Sequence, residues 1–385
     1  MLRKVLAVVT SALLLALLGC GDDSATLDPT DEVVAAADDA GLHGFVFTKW
    51  SHHIPPDDPG ECPAGLNVTE EEYLSEEYAM VRDEVKRRYE SGDREGALSL
   101  LPPDACKDPL VKPDPGHITL DGPATVAGIN LDGKHSTRAD GGQCAHDDFV
   151  GPNGEQGIDN QHWRLYGCVS GYRPDGLFDR LFDTDNPILE NGHATLLELQ
   201  LVEGSLQNGK IRAQLFTSAG PVSTDAHGKV IRNMSQVVHE DRLYHSAVFA
   251  GEIKDGVLRA GPVDAKLRFK VQALDNHYEF RDLQIRAEVR QDGSLKGVVA
   301  AYWDAENLFD ILTSVYIGPV HLGRAAANNI GYMCAGVYHA IPRVADGHPD
   351  PETGQCTSVS TLIDFEAVPA FVIKPEAVAP STASL

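Results

Sequence analysis

An alternation of apolar and polar residues in the C-terminal half of the chain constrains the fold more than any other feature. Along Ala265–Ala273 and Asp282–Arg290, small or apolar side chains occupy every second position. Because successive side chains of a strand point to opposite faces of a sheet, each segment is predicted to be a half-buried antiparallel strand. This pattern predicts a mostly β main domain.

Glycine-containing turns predict hairpins in the same region. The segments Ala250–Gly261 and Ala287–Gly297 each carry strand residues on both sides of an Asp-Gly pair, which tight hairpin turns favour. An Asn-Gly pair at 208–209 has the same role between two other runs. Further strands are predicted at Thr195–Val202, Ile211–Thr217 and Ser358–Val372.

Helical spacing appears nearer the N-terminus. Thr69 and Glu72 form a capping box, and apolar side chains then recur at positions 74, 78, 81 and 85. This helix is predicted to end near Gly92, and a short helix is predicted at Ala305–Val315. The patterns together predict an antiparallel β-sandwich or barrel with a small, disulfide-stapled helical N-terminal elaboration.

The cysteines indicate an oxidising compartment. Of the seven in the chain, Cys20 belongs to the leader, which leaves an even number for disulfides. Neither C-x-x-C nor a zinc-ribbon spacing occurs among them. The sequence does not choose among the many pairings, but the spacing favours neighbours: Cys62 with Cys106, Cys144 with Cys168, and Cys334 with Cys356.

The first twenty residues have the form of an export signal. Arg3 and Lys4 precede an apolar run, Val5–Leu18, which is too short and too early for a stop-transfer helix. The run ends in Leu-Leu-Gly-Cys, which resembles the lipobox of bacterial lipoproteins; an ordinary signal peptide with a chance cysteine is the alternative. The resemblance implies that Cys20 carries diacylglycerol and palmitate and anchors the chain in a lipid bilayer. Gly21, instead of Asp, favours the outer membrane or cell surface over the inner membrane.

Composition divides the rest of the chain. The segment Gly21–Gly41 is rich in acids, has no bases and contains few large apolar residues, so it is predicted to be a solvated tether. We predict a lipoprotein signal peptide at 1–19, the lipidated cysteine and acidic disordered tether at 20–41, a helical, disulfide-stapled region at 42–116, a β-rich main domain at 117–374 and a flexible tail at 375–385.

The formal charge of −25 at pH 7 makes nucleic acid and anionic lipid headgroups poor partners and divalent cations or cationic ligands more natural ones. The mature chain also loosely resembles uncharacterised bacterial envelope lipoproteins, through CAHDDF…GIDNQ, the Asp-Gly hairpins and the CTSVSTLIDF run. That resemblance implies an envelope location and no particular activity.

The stretch between Cys144 and Cys168 is the most chemically varied in the chain. Hard cations such as Ca²⁺ need six to eight oxygen ligands on a loop that can curl around them. This stretch supplies oxygen-bearing side chains between glycines, although without the spacing of an EF-hand. The predicted calcium ligands are Asp147, Asp148, Asn153, Glu155, Asp159 and Asn160.

Two other interpretations of the stretch remain open. Asp, Asn and Gly are ordinary turn residues, so the loop can be purely structural. Alternatively, a metal-dependent hydrolase would activate water on a transition metal held by His146, Asp148, Asp159 and His162. Nucleophile-elbow, Ser-x-x-Lys, Walker and dinucleotide motifs are absent, which disfavours an enzyme. The acidic stretch Asp346–Glu352 also has two interpretations, an oxygen-rich site or a stapled loop, and the loop is favoured.

The sequence therefore predicts an envelope-anchored lipoprotein whose β-rich domain is a calcium-stiffened binding or structural module. Its partner is predicted to be a glycan or a protein. Trp163 and Tyr172 are the residues predicted to stack on that ligand, at the edge of a binding face that begins near Gly157. The secreted metal-dependent hydrolase is the alternative.

Overall fold

The computed structural model describes residues 41–374 apart from 57–59, 74, 121–124, 142–143, 177–191, 272–273 and 315–330. The predicted signal peptide, the lipidation site Cys20, nearly all of the tether and the tail therefore lie outside the described residues. Their assignments stay predictions.

Ten strands form one sheet. They are β1 (Leu42–His52), β2 (Thr195–Gly204), β3 (Gly209–Thr217), β4 (Ser235–Val237), β5 (Phe249–Lys254), β6 (Val257–Val271), β7 (Leu274–Val289), β8 (Leu295–Asp304), β9 (Gly347–Pro349) and β10 (Cys356–Ile373).

Eight of these strands close into a ring. Each of β1, β2, β3, β5, β6, β7, β8 and β10 pairs antiparallel with the next, and β1 pairs with β10 as well as with β2. The short strands β4 and β9 attach to the two ends of β10. The predicted mostly β, antiparallel fold is confirmed, and the ring of pairings corresponds to the barrel form of that prediction.

The predicted strands and turns lie where the alternation indicates. Residues 265–271 of the first predicted segment form the end of β6, and residues 272–273 lie outside the described residues. Residues 282–289 of the second segment form the end of β7. At the β5–β6 turn, Asp255 and Gly256 have positive φ angles of 52° and 73°. A two-residue hairpin turn of this hand needs positive φ at both positions, which is why an Asp-Gly pair marks it.

Every strand of the ring contributes side chains to one apolar core. Phe47 of β1 stacks on Phe365 of β10 with ring centroids 4.4 Å apart, and Trp303 of β8 contacts the ring of Tyr278 on β7. Full burial of a large apolar side chain is worth about 1.5–3 kcal/mol. The interior of the ring is thus packed with side chains.

The helices are α1 (Glu70–Tyr73), α2 (Ser75–Glu90), α3 (Arg94–Leu98), α4 (Gln161–Tyr166), α5 (Ala305–Ser314) and α6 (Cys334–Val344). The predicted capping box is present, because the Thr69 N–H donates to the Glu72 carboxylate and the Glu72 N–H to the Thr69 hydroxyl. Leu42–His52, which was placed in the helical region, is instead strand β1. A register shift between Phe47 and Lys49 breaks its alternation and hides the strand in the sequence.

All six predicted cysteines form disulfides, but the predicted neighbour pairs are wrong. The bridges are Cys62–Cys168, Cys106–Cys334 and Cys144–Cys356, with sequence separations of 106, 228 and 212 residues. Pairing of β1 with β10 brings the two ends of the described chain together, and cysteines that are distant in sequence become neighbours. The stretch between Cys144 and Cys168 is therefore not stapled at its own base, and residues 62 and 106 are each tied to the main domain.

In the part of the chain that the structure describes, none of the helices has the length and apolar character needed to cross a bilayer.

Candidate functional site

The segment that holds the predicted site packs on the sheet through the short helix α4. The Gln161 N–H donates to the hydroxyl of Ser360 on β10 over 2.8 Å. Every residue of α4 is buried although the helix is rich in polar side chains. Arg164 places its guanidinium 4.5 Å from the centre of the Phe149 ring and donates to the carbonyls of Asp147 and Leu120. The helix is an internal support for the loops around it.

The six predicted calcium ligands do not converge on one ion. Each has its own local partner: Asp147 pairs with Arg138, Asp148 accepts from the Ser136 N–H, Glu155 accepts from the Asn153 amide, Asp159 accepts from the Leu131 N–H, and Asn160 donates to the Ala127 carbonyl. Across the described ranges, no three His, Cys, Asp or Glu side chains are placed to hold a metal ion. These side chains mostly satisfy turn and loop N–H groups, and the six-ligand calcium loop stays a prediction that these contacts do not support.

The four predicted hydrolase ligands are also separated. The ring nitrogens of His146 are hydrogen-bonded to the carbonyls of Cys144 and Arg343. His162 lies inside a buried aromatic cluster, with ring centroids 4.7 Å from His52 and 5.7 Å from Trp303. Burial, together with the neighbouring His52 ring, holds the pKa of His162 well below its usual value. His162 is a neutral core residue, so the structure does not assemble this transition-metal site.

The two predicted stacking residues are core residues as well. Trp163 and Tyr172 are each only 2% exposed. Trp163 packs in a cluster with Phe149 and Ile158, and the Tyr172 ring stacks on Tyr166 with centroids 4.5 Å apart. Neither ring faces solvent, so this structure gives no support to a ligand-binding edge formed by these two residues.

Two carboxyl groups from distant parts of the chain, Asp159 and Asp346, interact electrostatically beside α4. Asp159 precedes the helix, and Asp346 precedes β9. The Asp346 carboxylate accepts from the Ser360 N–H over 2.8 Å and from the Ser360 hydroxyl over 2.6 Å. Asp159 accepts from the Leu131 N–H over 2.6 Å. Ser360 also accepts from the start of α4, so it joins the helix to this carboxyl pair.

The environment of the pair disfavours two negative charges. Burial, with the Asp346 charge as the second cause, raises the pKa of Asp159 to about 8. Burial also raises the pKa of Asp346 to about 6, against hydrogen bonds from Ser360 and the nearby His146. The pKa of Tyr302 on β8 is raised by burial and then by these two carboxyls. Neither carboxyl forms an ion pair with a lysine or arginine among the described residues.

A buried pair of this kind has few stable states. Unpaired carboxylates in a poorly solvated site are unfavourable, so the pair is held neutral by protons or is balanced by a bound cation. Carboxyl groups with strongly perturbed pKa values cluster at functional sites, although structural networks perturb them too. We define Asp159, Asp346, Ser360 and Tyr302 as the carboxyl site.

Sequence reasoning found only part of the carboxyl site. It selected Asp159 for its ligand type, whereas the Asp346 stretch was favoured as a stapled loop, Ser360 was seen only as a strand residue and Tyr302 was not singled out. The available signal was at the start of β10, where the polar residues Ser358 and Ser360 occupy alternate positions of a largely apolar strand. Comparisons of this chain with protein families, with curated proteins and with solved structures find no match.

Proposed function

We propose that the protein is a lipid-anchored envelope protein whose closed β sheet is a binding module, and that a cation at the carboxyl site stiffens it. The observation that carries this proposal is the uncompensated pair of Asp159 and Asp346. Calcium fits the chemistry, because it prefers carboxylate, carbonyl and water oxygens and accepts irregular arrangements of them. The pair would supply the charged ligands.

The position of the site explains how a cation would stiffen the module. Asp159 is hydrogen-bonded to Leu131 in the loop that covers the sheet. Asp346 is bonded to Ser360 on β10, which closes the ring against β1. A cation between the two carboxylates would connect the covering loop to the closing strand. Without it, their mutual repulsion opposes that contact at alkaline pH.

Calcium is expected to raise the melting temperature of the mature chain by about 5 °C at pH 8 when it is present at roughly a hundred times its dissociation constant. The shift should shrink at pH 6, because protons compete with the cation for Asp159, whose pKa is raised to about 8. Thermal unfolding with calcium and then with chelator measures both values.

The matched variants are Asp159→Asn, Asp346→Asn and Asp147→Asn. The first two should abolish the calcium shift. Asp147 lies in the same segment, but its carboxylate is half-exposed and pairs with Arg138, so its variant should keep the shift. A wild-type melt that calcium leaves unchanged at pH 8 would refute the cation proposal, and loss of the shift in Asp147→Asn would assign it to general charge.

The membrane anchor has a separate test. The leader ending at Cys20 is the basis for the proposed lipidation. In a bacterial host that processes lipoproteins, the chain is expected to incorporate labelled palmitate and to sediment with membranes, whereas Cys20→Ser is expected to do neither. Membrane association of Cys20→Ser equal to that of wild type would contradict a lipid anchor at this residue.

A further inference from the structure

A groove of about 500 Å³ lies on the outer face of the closed sheet, across β3, β5, β6 and β7. Four of its lining residues are charged: Lys210, Glu252, Arg259 and Arg286. The chain as a whole carries a formal charge of −25. A groove with three bases and one acid is thus opposite in sign to the rest of the molecule.

Strand register places these charges in one row. Lys210 is directly opposite Glu252, Glu252 is opposite Arg259, and Arg259 is opposite Arg286. Directly paired residues point to the same face of a sheet, and neighbouring strands lie about 4.8 Å apart. Arg259 and Arg286 are therefore about 5 Å apart at their backbones, and Lys210 is about 10 Å from Arg259.

Arg259 and Arg286 face each other although only Arg259 has an acid, Glu252, directly opposite it on the other side. Like charges directly opposite each other on paired strands are destabilising. Within the described part of the chain, neither Arg259 nor Arg286 forms an ion pair or a side-chain hydrogen bond. The Glu155 carboxylate, which lies in the field of Arg286, instead accepts from the Asn153 amide. An arrangement that costs stability in the free protein is explained if an anion binds between the two guanidinium groups.

We propose that this groove binds a small ligand that carries at least two acidic groups of the carboxylate, sulfate or phosphate kind. The groove proposal rests on the proposed role of the protein as a binding module, and it specifies the class of ligand. One acidic group would bridge Arg259 and Arg286, whose planar guanidinium groups suit two-point contacts with an oxyanion. A second group would lie toward Lys210, which already contacts Glu203 over 2.8 Å.

The remaining lining suits close approach of a ligand. Gly251 and Gly261 contribute no side chain to the floor of the groove. Ile129 and Gln284 form a wall, which is fixed because Gln284 donates to the Leu131 carbonyl over 3.3 Å. The Leu131 N–H in turn donates to Asp159 of the carboxyl site. The groove is therefore a built feature whose wall is held by the same loop that covers the carboxyl pair.

Calorimetric titration of the purified protein with pyrophosphate and, separately, with digalacturonate tests this proposal. Binding of pyrophosphate alone would identify a phosphate-bearing ligand, and binding of digalacturonate would identify an acidic sugar. We expect Arg259→Gln and Arg286→Gln each to weaken binding about tenfold, since a charge-assisted contact is worth about 1.4 kcal/mol or more. The variants Arg259→Lys and Arg286→Lys should keep part of the affinity, because lysine retains the positive charge but cannot make the two-point contact of a guanidinium group.

Arg242→Gln is the matched control, because it removes one exposed positive charge outside the groove. An equal loss of affinity in this control would overturn the proposal in favour of general charge attraction. The proposal would also be overturned if neither probe bound at about 10 mM. A second measurement needs no ligand: Arg286→Gln should melt about 1–3 °C higher than wild type once the like-charge pair is removed. Because calcium is absent from these titrations, their failure is separable from failure of the cation site.

Discussion

Asp159→Asn is expected to make the protein more stable at pH 8 while having a much smaller effect at pH 5. Burial and the neighbouring Asp346 charge raise the pKa of Asp159 to about 8 in the folded state, whereas an unfolded aspartate has a pKa of about 3.9. The folded protein therefore binds more protons at this group than the unfolded chain does between these two values. Stability contributed by Asp159 is present in acid and falls as the pH rises through this window.

The size of the effect follows from the same pKa shift. Between pH 5 and pH 8, the raised pKa of Asp159 costs the folded state about 2–4 kcal/mol, allowing for partial solvation of the group. Asparagine has no charge to bury and keeps an oxygen that can accept from the Leu131 N–H. The free energy of unfolding of the variant should thus exceed that of wild type by about this amount at pH 8.

Denaturant unfolding at pH 5 and pH 8, with chelator present, measures this difference. Asp147→Asn provides the control, because its half-exposed carboxylate pairs with Arg138 outside the carboxyl site. Equal stability changes for Asp159→Asn at the two pH values would show that Asp159 is ionised in both and that the pair is already compensated. Such a result would also remove the basis for the proposed cation.

The parts of the fold that sequence predicted are those set by local chemistry. The alternation along residues 282–290 follows from the two faces of β7, and the Asp255-Gly256 turn follows from backbone conformations that few residues adopt. The capping box at Thr69 is equally local. Each of these signals lies within about ten residues of chain, so no knowledge of distant contacts is needed.

The errors about the disulfide pairs and the carboxyl site share one physical cause, which is contact between parts of the chain that are distant in sequence. Pairing of β1 with β10 joins the two ends of the described chain, and disulfide partners follow that proximity instead of sequence spacing. Packing of α4 on β10 places Asp159 near Asp346 through their shared neighbour Ser360, although 187 residues separate the two acids in sequence. An acid that becomes the neighbour of another acid only in the fold has no local signature, so the Asp346 member of the carboxyl pair could not be found before the fold was known.

Helix α4 misled the sequence analysis for a different reason. Histidine, tryptophan and arginine in a short polar stretch indicate a surface site, yet here they are buried. Arg164 is tolerated in the interior because backbone carbonyls and the Gln161 side chain accept its hydrogen bonds. Polar residues that satisfy one another inside a fold resemble a binding site in sequence, and only their contacts distinguish the two.

Removal of the Cys106–Cys334 disulfide is expected to have the largest effect on stability. The bridge joins residues 228 positions apart, and closing so long a loop restricts the unfolded chain by about 5 kcal/mol in the chain-entropy description. Alanine at both positions suits the test, because both cysteines are buried in the apolar core and serine would bury a hydroxyl. Urea unfolding of Cys106→Ala/Cys334→Ala against wild type should show a loss of about this size.

The same variant should also loosen the helical region locally. Helices α2 and α3 pack around a small cluster of their own, formed by Val85, Ala97 and Leu101. A cluster this small is insufficient to hold two short helices in place, so the bridge from residue 106 to α6 supplies much of their attachment. Trypsin should therefore cut the native variant at Arg87 or Arg88 faster than wild type.

The double variant Cys144→Ala/Cys356→Ala is the matched control for that local effect. Its bridge spans a comparable 212 residues, so its global loss of stability should be similar, but it does not attach α2 and α3. Equal trypsin sensitivity in the two variants would show that the helices are released only by global unfolding. Faster cleavage in the Cys106→Ala/Cys334→Ala variant alone would show that this disulfide fastens the helical region to the closed sheet.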